Sequence, residues 1–398
     1  MENLVNYKRM FVLGATTAAA LAVPGLAVAN AQTGTPNSTV YVSAHGTASA
    51  RDAACSSAAY RSIGAAVSAV APGGTVVVCG GTYREEVAVA KPLTLVGRSH
   101  TVIDATGHNN GILVTAGHVT VSGFEVTNAI GEGILVSSAD HVTIAGNRVT
   151  HNDLGGVANP VPNTYAECQA QGGVPGDCGE GIHLMSSSYS TVSGNVSSGN
   201  SGGILLTDET GPAAHNRIVG NMVAGNLFDC GITVVGHNPK AAPGGVPAPQ
   251  VAGVYANDIV GNSISGNGLK GAGAGVVLAT PFPGGAVYDN TVEANAINGN
   301  GMAGVSVHSH APGQLLNGNV ITRNQFGTNN LVGDMDFAPH VDTQTTGVLV
   351  GTVSPLSITI SGNVIAQNHF GIWTTGPVTA QGEHGNLFLG DTVPVMQG

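Results

Sequence analysis

The chain is 398 residues long, carries a formal net charge of −11, and has only 9% charged residues against 60 glycines. Beyond residue 100 its basic side chains are Arg148, Arg217, Lys240, Lys270 and Arg323, too few to form an electrostatic footprint for nucleic acid or an anionic membrane surface. So much glycine with so little charge fits disorder or a repetitive β architecture, and the regular Val and Ile content selects the second.

The opening segment, MENLVNYKRMFVLGATTAAALAVPGLAVANAQ, sets Lys8 and Arg9 before an apolar run of small residues that ends in AVANA. A charged start, a short apolar stretch and an A-x-A end make an export signal, so residues 1–31 are expected to be a signal peptide cleaved after Ala29 or Ala31. The protein is then secreted, extracellular or in the cell envelope. No later segment is apolar enough to span a bilayer, so stable membrane insertion is not expected. Residues 32–398 contain no linker and read as one domain. Its N-terminal cap is expected at about residues 50–75, because Tyr60, Ile63, Ala66, Val67 and Val70 recur at helical spacing. A helix there would cover the open first layer of whatever follows. In an exported protein Cys55 and Cys79 are expected to pair, tying helix to strand, and Cys168 with Cys178 to close a loop. Cys230 reads as a buried thiol.

Internal repetition determines the fold class. A glycine followed by alternating aliphatics recurs as GILVT at 111, GILVS at 133, GIHLM at 181, GILLT at 203, GITVV at 231, GVVLA at 275, GVSVH at 304, GVLVG at 347 and GIWTT at 371. A second series, Asn147, Asn195, Asn221, Asn262, Asn295, Asn319 and Asn363, has another Asn five residues after each member. Asn tolerates the left-handed backbone of sharp bends, and its amide can hydrogen-bond to the same amide one layer away. The pattern predicts an all-β solenoid of about ten coils spaced about 4.8 Å apart. The Ile and Leu of each GIxL would point inward, with the residues between them facing solvent.

The segments YRSIGAAVSAVAPGGTVVVCGGTYRE, KPLTLVG and TISGNVIAQN, together with the repeated GN turns, resemble the right-handed parallel β-helix proteins of the pectate-lyase-like superfamily. The resemblance covers nearly all of the chain after the leader and implies a single-stranded right-handed parallel β-helix. The superfamily includes polysaccharide lyases, hydrolases, epimerases and proteins without known activity, so the resemblance implies a fold and leaves the chemistry open.

The intervals between the repeat glycines range from 22 to 48 residues, and the surplus marks a face. Insertions 153–179 and 325–346 precede the GIxL strand and insertion 237–252 follows it, so loops are expected to wall a groove whose floor is the outward side of that strand. Aligned on their glycines, the strands set His183, Thr207, Glu209, His237, His308 and His310 on the floor, with Glu209 and His237 on neighbouring coils. Glu209, His237, His310, Asp208 and His308 are the catalytic candidates. His183, Thr207 and Lys240, with Asp334, Asp336, His340 and Asp342 on the wall, are candidate substrate contacts. Glu132 and Glu180 share a slot on consecutive coils and, with Asp177, could supply the oxygens of a calcium site. No cofactor is otherwise required. His308 and His310 face one side of a strand as metal ligands do, but Pro281 takes the slot where a third ligand from the adjacent coil would stand.

The expected partner is a polysaccharide or oligosaccharide. In a lyase, His237 or His310 would take the proton alpha to a uronate carboxylate, and Lys240 or calcium would neutralise that carboxylate. In a glycoside hydrolase two carboxyls must flank the bond, with Asp208, Glu209 and Asp229 on the floor or Asp334, Asp336 and Asp342 on the wall as candidates. The alternative is a secreted or cell-surface β-helix that binds glycan, or serves structurally, without chemistry.

Overall fold

Each glycine of the GIxL series occupies a place where no side chain fits. A Cβ on Gly231 would lie 2.5 Å from Ile264 Cγ2, 2.7 Å from the carbonyl oxygen of Gly275 and 2.8 Å from Asn267 Nδ2. The glycine lets one coil close tightly against the next, and the chain then enters a strand whose alternate residues turn inward. This computed structural model describes residues 38–44, 53–153, 179–237, 253–271, 273–281, 283–309, 311–335 and 341–398. The expected signal peptide, Lys240, His310, Asp336, His340, Asp177, Cys168 and Cys178 lie outside the described residues.

Strands follow in a cycle of three. Ile134–Ser137, Thr143–Ala145 and Arg148–Thr150 make one coil, and the next begins at Glu180–Met185. All pairings between coils are parallel and in register, as where Ile134 pairs with Ile112 on one side and Ile182 on the other. The described residues form three long sheets of 12, 11 and 11 strands and a small sheet of three. Eleven strands exceed the ten or so coils expected, because the first and last strands of the GIxL sheet, Val87–Val89 and Val393–Gln397, lack the glycine that marks the others. Inward Val, Ile and Leu side chains stack into one core that runs from Val40 to Ile372.

The N-terminal helix is shorter than its pattern suggested. It runs Ile63–Ala69, begins at Ser62, whose hydroxyl accepts from Ala65 N, and buries Ile63, Ala66 and Val67 against the first coil. Tyr60 instead bridges to Val42. Cys55 and Cys79 are disulfide-bonded, with Cα atoms 5.9 Å apart, and Cys230 is buried, its Sγ accepting from Ala274 N at 3.1 Å. Among the described residues no helix is long and apolar enough to cross a membrane.

The asparagines form three ladders where two were expected. Asn221 is typical: its backbone N–H and its Nδ2 both donate to Asn262 Oδ1 (2.9 and 3.0 Å), and Nδ2 also donates to Val192 O at 2.9 Å. Asn195, Asn221 and Asn262 stand over one another, and Asn152, Asn200, Asn226 and Asn267 repeat the arrangement at the next bend. The third ladder runs from Ser190 through Asn216, Asn257 and Asn290 to Asn319. Asn319 was expected above Asn295, but Asn324 takes that place and Asn319 belongs one bend earlier. The slip has a simple cause: all three bends are five residues apart, so an Asn-x4-Asn pair matches two neighbouring bends equally well.

Two further departures concern the GIxL sheet and its following bend. The outward residues of this sheet were expected to face solvent, yet His183, Leu205, Thr233, Ser306 and Leu349 are all buried, whereas most outward positions of the other two sheets are half-buried or exposed. At the bend after this sheet, His118, His141, Tyr189 and His215 adopt left-handed backbone (φ 57, 58, 55 and 57°) and stack ring on ring, with centroids 4.9, 5.3 and 4.9 Å apart. Left-handed backbone costs a bulky residue about 1 kcal/mol, and a stacked pair contributes about as much in return. The column accounts for three of the chain's histidines, whose frequency the repeat pattern left unexplained.

The ladders make a quantitative expectation. Asn221→Ala removes the acceptor of both Asn195 donors and the donor to Val192 O, and each buried group left without a partner costs about 1–3 kcal/mol. Denaturant unfolding should show a loss of at least about 3 kcal/mol, against a clearly smaller loss for Asn386→Ala at the half-buried end of the ladder.

Candidate functional site

Strand alternation places the polar groups. In Glu180–Met185 the side chains of Ile182 and Leu184 enter the core, so His183 and Met185 turn outward; in Gly202–Thr207 the inward pair is Ile204 and Leu206, and Leu205 and Thr207 turn outward. His183 pairs with Leu205 in register, which makes Thr207 its diagonal neighbour, within reach of a long side chain. His183 Nε2 lies 2.8 Å from Thr207 Oγ1, and its Nδ1 lies 3.0 Å from Glu132 Oε1 on the preceding coil. Glu132 Oε1 also accepts from Gly179 N at 3.3 Å.

The network continues toward the edge of the sheet. Thr207 Oγ1 donates to Glu209 Oε2 at 2.5 Å, and Glu209 Oε1 lies 2.7 Å from His237 Nδ1. Five side chains from four coils, Glu132, His183, Thr207, Glu209 and His237, are thereby joined in one chain of hydrogen bonds. Four of them are at most 5% exposed, and Glu209, half-buried, is the member nearest solvent. Burial alone would raise the Glu209 carboxyl. The hydrogen bond and charge of His237, the charge of His183 and the Thr207 hydroxyl outweigh it and hold the group below the ordinary carboxylate range.

The other candidates fall into different places. Asp208 accepts from two backbone amides, His237 N at 2.7 Å and Gly253 N at 2.6 Å, so its carboxylate fastens one coil to the next and sets the position of His237. Asp229 accepts from Thr233 Oγ1 at 3.3 Å. His308 shares the column of Thr207 but stands beyond Val235 and Ala279, three strands away, or about 14 Å at the usual strand spacing; its Nδ1 lies 3.0 Å from Ser306 Oγ. Asp334 and Asp342 form a two-way backbone bridge, and the Asp342 carboxylate accepts from Thr346 Oγ1 and Gln344 N. Asp342 therefore holds its own loop, and burial pushes its carboxyl up despite those bonds. Glu132, Glu180 and His183 offer three ligand atoms within 4.8 Å of one another, the group among the described residues that could hold a metal ion. The union of Glu132 with His183 escaped sequence reasoning, since the two lie 51 residues apart and the Glu precedes its strand.

Because Glu209 is held below its ordinary value, its ionised form stabilises the fold at neutral pH, and that contribution disappears as pH falls through its folded value. The melting temperature of Glu209→Gln should therefore trail wild type most at pH 7, with the gap closing as acidification carries the pH below the ordinary carboxylate range.

Residues 94–242 match the family model of the right handed beta helix region. A comparison with curated proteins finds no match. Among solved structures, the chain is similar to an alginate lyase from Paenibacillus sp. str. FPU-7 (13% identity, 83% of this chain and 95% of that one, TM-score 0.48). It is also similar to the A-module of a mannuronan C-5 epimerase from Azotobacter vinelandii (16%, 82% and 91%, TM-score 0.47) and to a surface adhesin of Streptococcus pneumoniae (11%, 82% and 85%, TM-score 0.47). With three stacked parallel sheets, ladders at the bends and the match over residues 94–242, the chain has a right-handed parallel β-helix fold.

Proposed function

We propose that the protein is an exported carbohydrate-active enzyme that cleaves an acidic polysaccharide or oligosaccharide by elimination. The observation that supports this reading is the contact between Glu209 and His237 at the edge of the GIxL sheet. A carboxylate on one ring nitrogen orients an imidazole and stabilises the positive charge it gains, which leaves Nε2 as the proton-accepting atom. His237 then takes the proton alpha to the sugar carboxylate. The electron pair left behind forms a carbon–carbon double bond, and the glycosidic oxygen departs and is protonated by solvent. Lys240, three residues beyond His237, is the candidate to neutralise the substrate carboxylate. A glycoside hydrolase is supported less well, because it needs two carboxyls facing each other across the bond, while Asp208 is engaged by backbone amides and Glu209 by His237 and Thr207. The Cys55–Cys79 disulfide supports an oxidising destination.

The test is to incubate the purified protein with a panel of acidic and neutral glycans and follow unsaturated uronate absorbance and new reducing ends. Elimination product is expected from an acidic glycan, with the rate lowered about 10²–10⁴-fold in His237→Ala. Reducing ends without unsaturated product would make the enzyme a hydrolase. Glycan binding without any product, unchanged in His237→Ala, would make it a binding protein.

A further inference from the structure

Beneath the Glu209–His237 pair, two carboxylates and an imidazole converge. The ligand atoms of Glu132, Glu180 and His183 all lie within 4.8 Å of one another, and each residue is at most 1% exposed. Thr207 has a single hydroxyl proton, which goes to Glu209, so its oxygen accepts from Nε2–H of His183. Nδ1 of the same ring lies 3.0 Å from Glu132 Oε1. One imidazole nitrogen and two carboxylates gathered at a buried point are a donor set for a divalent ion.

We infer that Glu132, Glu180 and His183 form a site for a divalent transition ion of the zinc or manganese class, rather than the all-oxygen calcium site expected from the sequence. An imidazole nitrogen in the donor set favours such an ion, since calcium takes oxygen ligands. Two donors each about 2.1 Å from an ion stand about 3 Å apart at octahedral angles and about 3.4 Å apart at tetrahedral ones, and Nδ1 and Oε1 here are 3.0 Å apart. Thr207 engages the other ring nitrogen, as the outer partner of a metal-bound histidine does, and through Glu209 it ties the ion to the His237 pair. Gly202 keeps the place open. It pairs in register with Glu180, and a Cβ there would lie 2.9 Å from Glu180 Cγ and 3.0 Å from Oε1. Its φ is not in the left-handed region, so the need for glycine is one of space.

The test uses the full chain, purified and stripped with a chelator, then titrated separately with Zn²⁺, Mn²⁺ and Ca²⁺ by calorimetry. One Zn²⁺ or Mn²⁺ per chain is expected, bound at least tenfold tighter than Ca²⁺. Glu180→Gln, His183→Gln and Gly202→Ala should each weaken binding at least tenfold. The double variant His118→Ala/His141→Ala, which removes an exposed imidazole pair, should leave binding unchanged. Thermal melting adds a second readout: Zn²⁺ or Mn²⁺ should raise the melting temperature of wild type and leave that of Glu180→Gln unchanged. No binding of any of the three ions, calcium as the preferred one, or stoichiometric binding that survives in Glu180→Gln and His183→Gln would overturn the site. None of these readouts depends on activity, so they stand whether or not the protein proves to be a lyase.

Discussion

The amide ladders at the bends are the constraint on which the rest of the molecule depends. Most strands here are three residues long or shorter, and such short pieces fix little by themselves. The bends between them would leave buried backbone N–H and C=O groups without partners. Each ladder asparagine supplies both needs at once, accepting from the coil before it and donating to backbone and side chain around it. Because each ladder rises by one amide per coil, the coils cannot slip, and residues far apart in the chain become vertical neighbours. Side chains that meet in the network, such as Glu132 and His183, are adjacent for this reason alone.

Against that frame the polar network on the GIxL sheet is an addition and not a requirement. His183 occupies a column that Leu135, Leu205, Val277 and Leu349 fill on other coils, so an apolar residue satisfies the fold at this position. Burying an imidazole and several carboxylates instead costs solvation that packing does not restore. Groups that are expensive and replaceable, yet joined in one hydrogen-bonded chain, are where the proposed chemistry is assigned. Asp208 differs from its neighbours in this respect, since its carboxylate secures backbone and its removal would loosen the coil.

The chain's own pattern made the solenoid legible. Glycine before alternating aliphatics and asparagine at five-residue spacing specify strand, bend and stacking direction with local rules, and Thr207, Val235, Ala279 and His308 do share a column as the alignment of glycines requires. The pattern was ambiguous where its own regularity made it so: Asn319 and Asn324 fit either of two pairs of bends, and only the stack resolves them. It was silent where position within the repeat carries no mark, as with the stacked His118, His141, Tyr189 and His215, whose shared bend becomes visible once the coils are superposed.

What the sequence determined by itself was therefore the architecture, the cap, the Cys55–Cys79 bond and the sheet that bears the polar groups, because each follows from periodicity or short-range chemistry. The tertiary structure alone decided which of those groups touch. Glu132 joined His183, Asp208 went to backbone amides, and His308 stayed three strands away from Thr207. Side-chain reach is only a few ångströms, so contact depends on the rotamer, the diagonal offset between strands and the length of the bend before each one. None of these is written in a repeat.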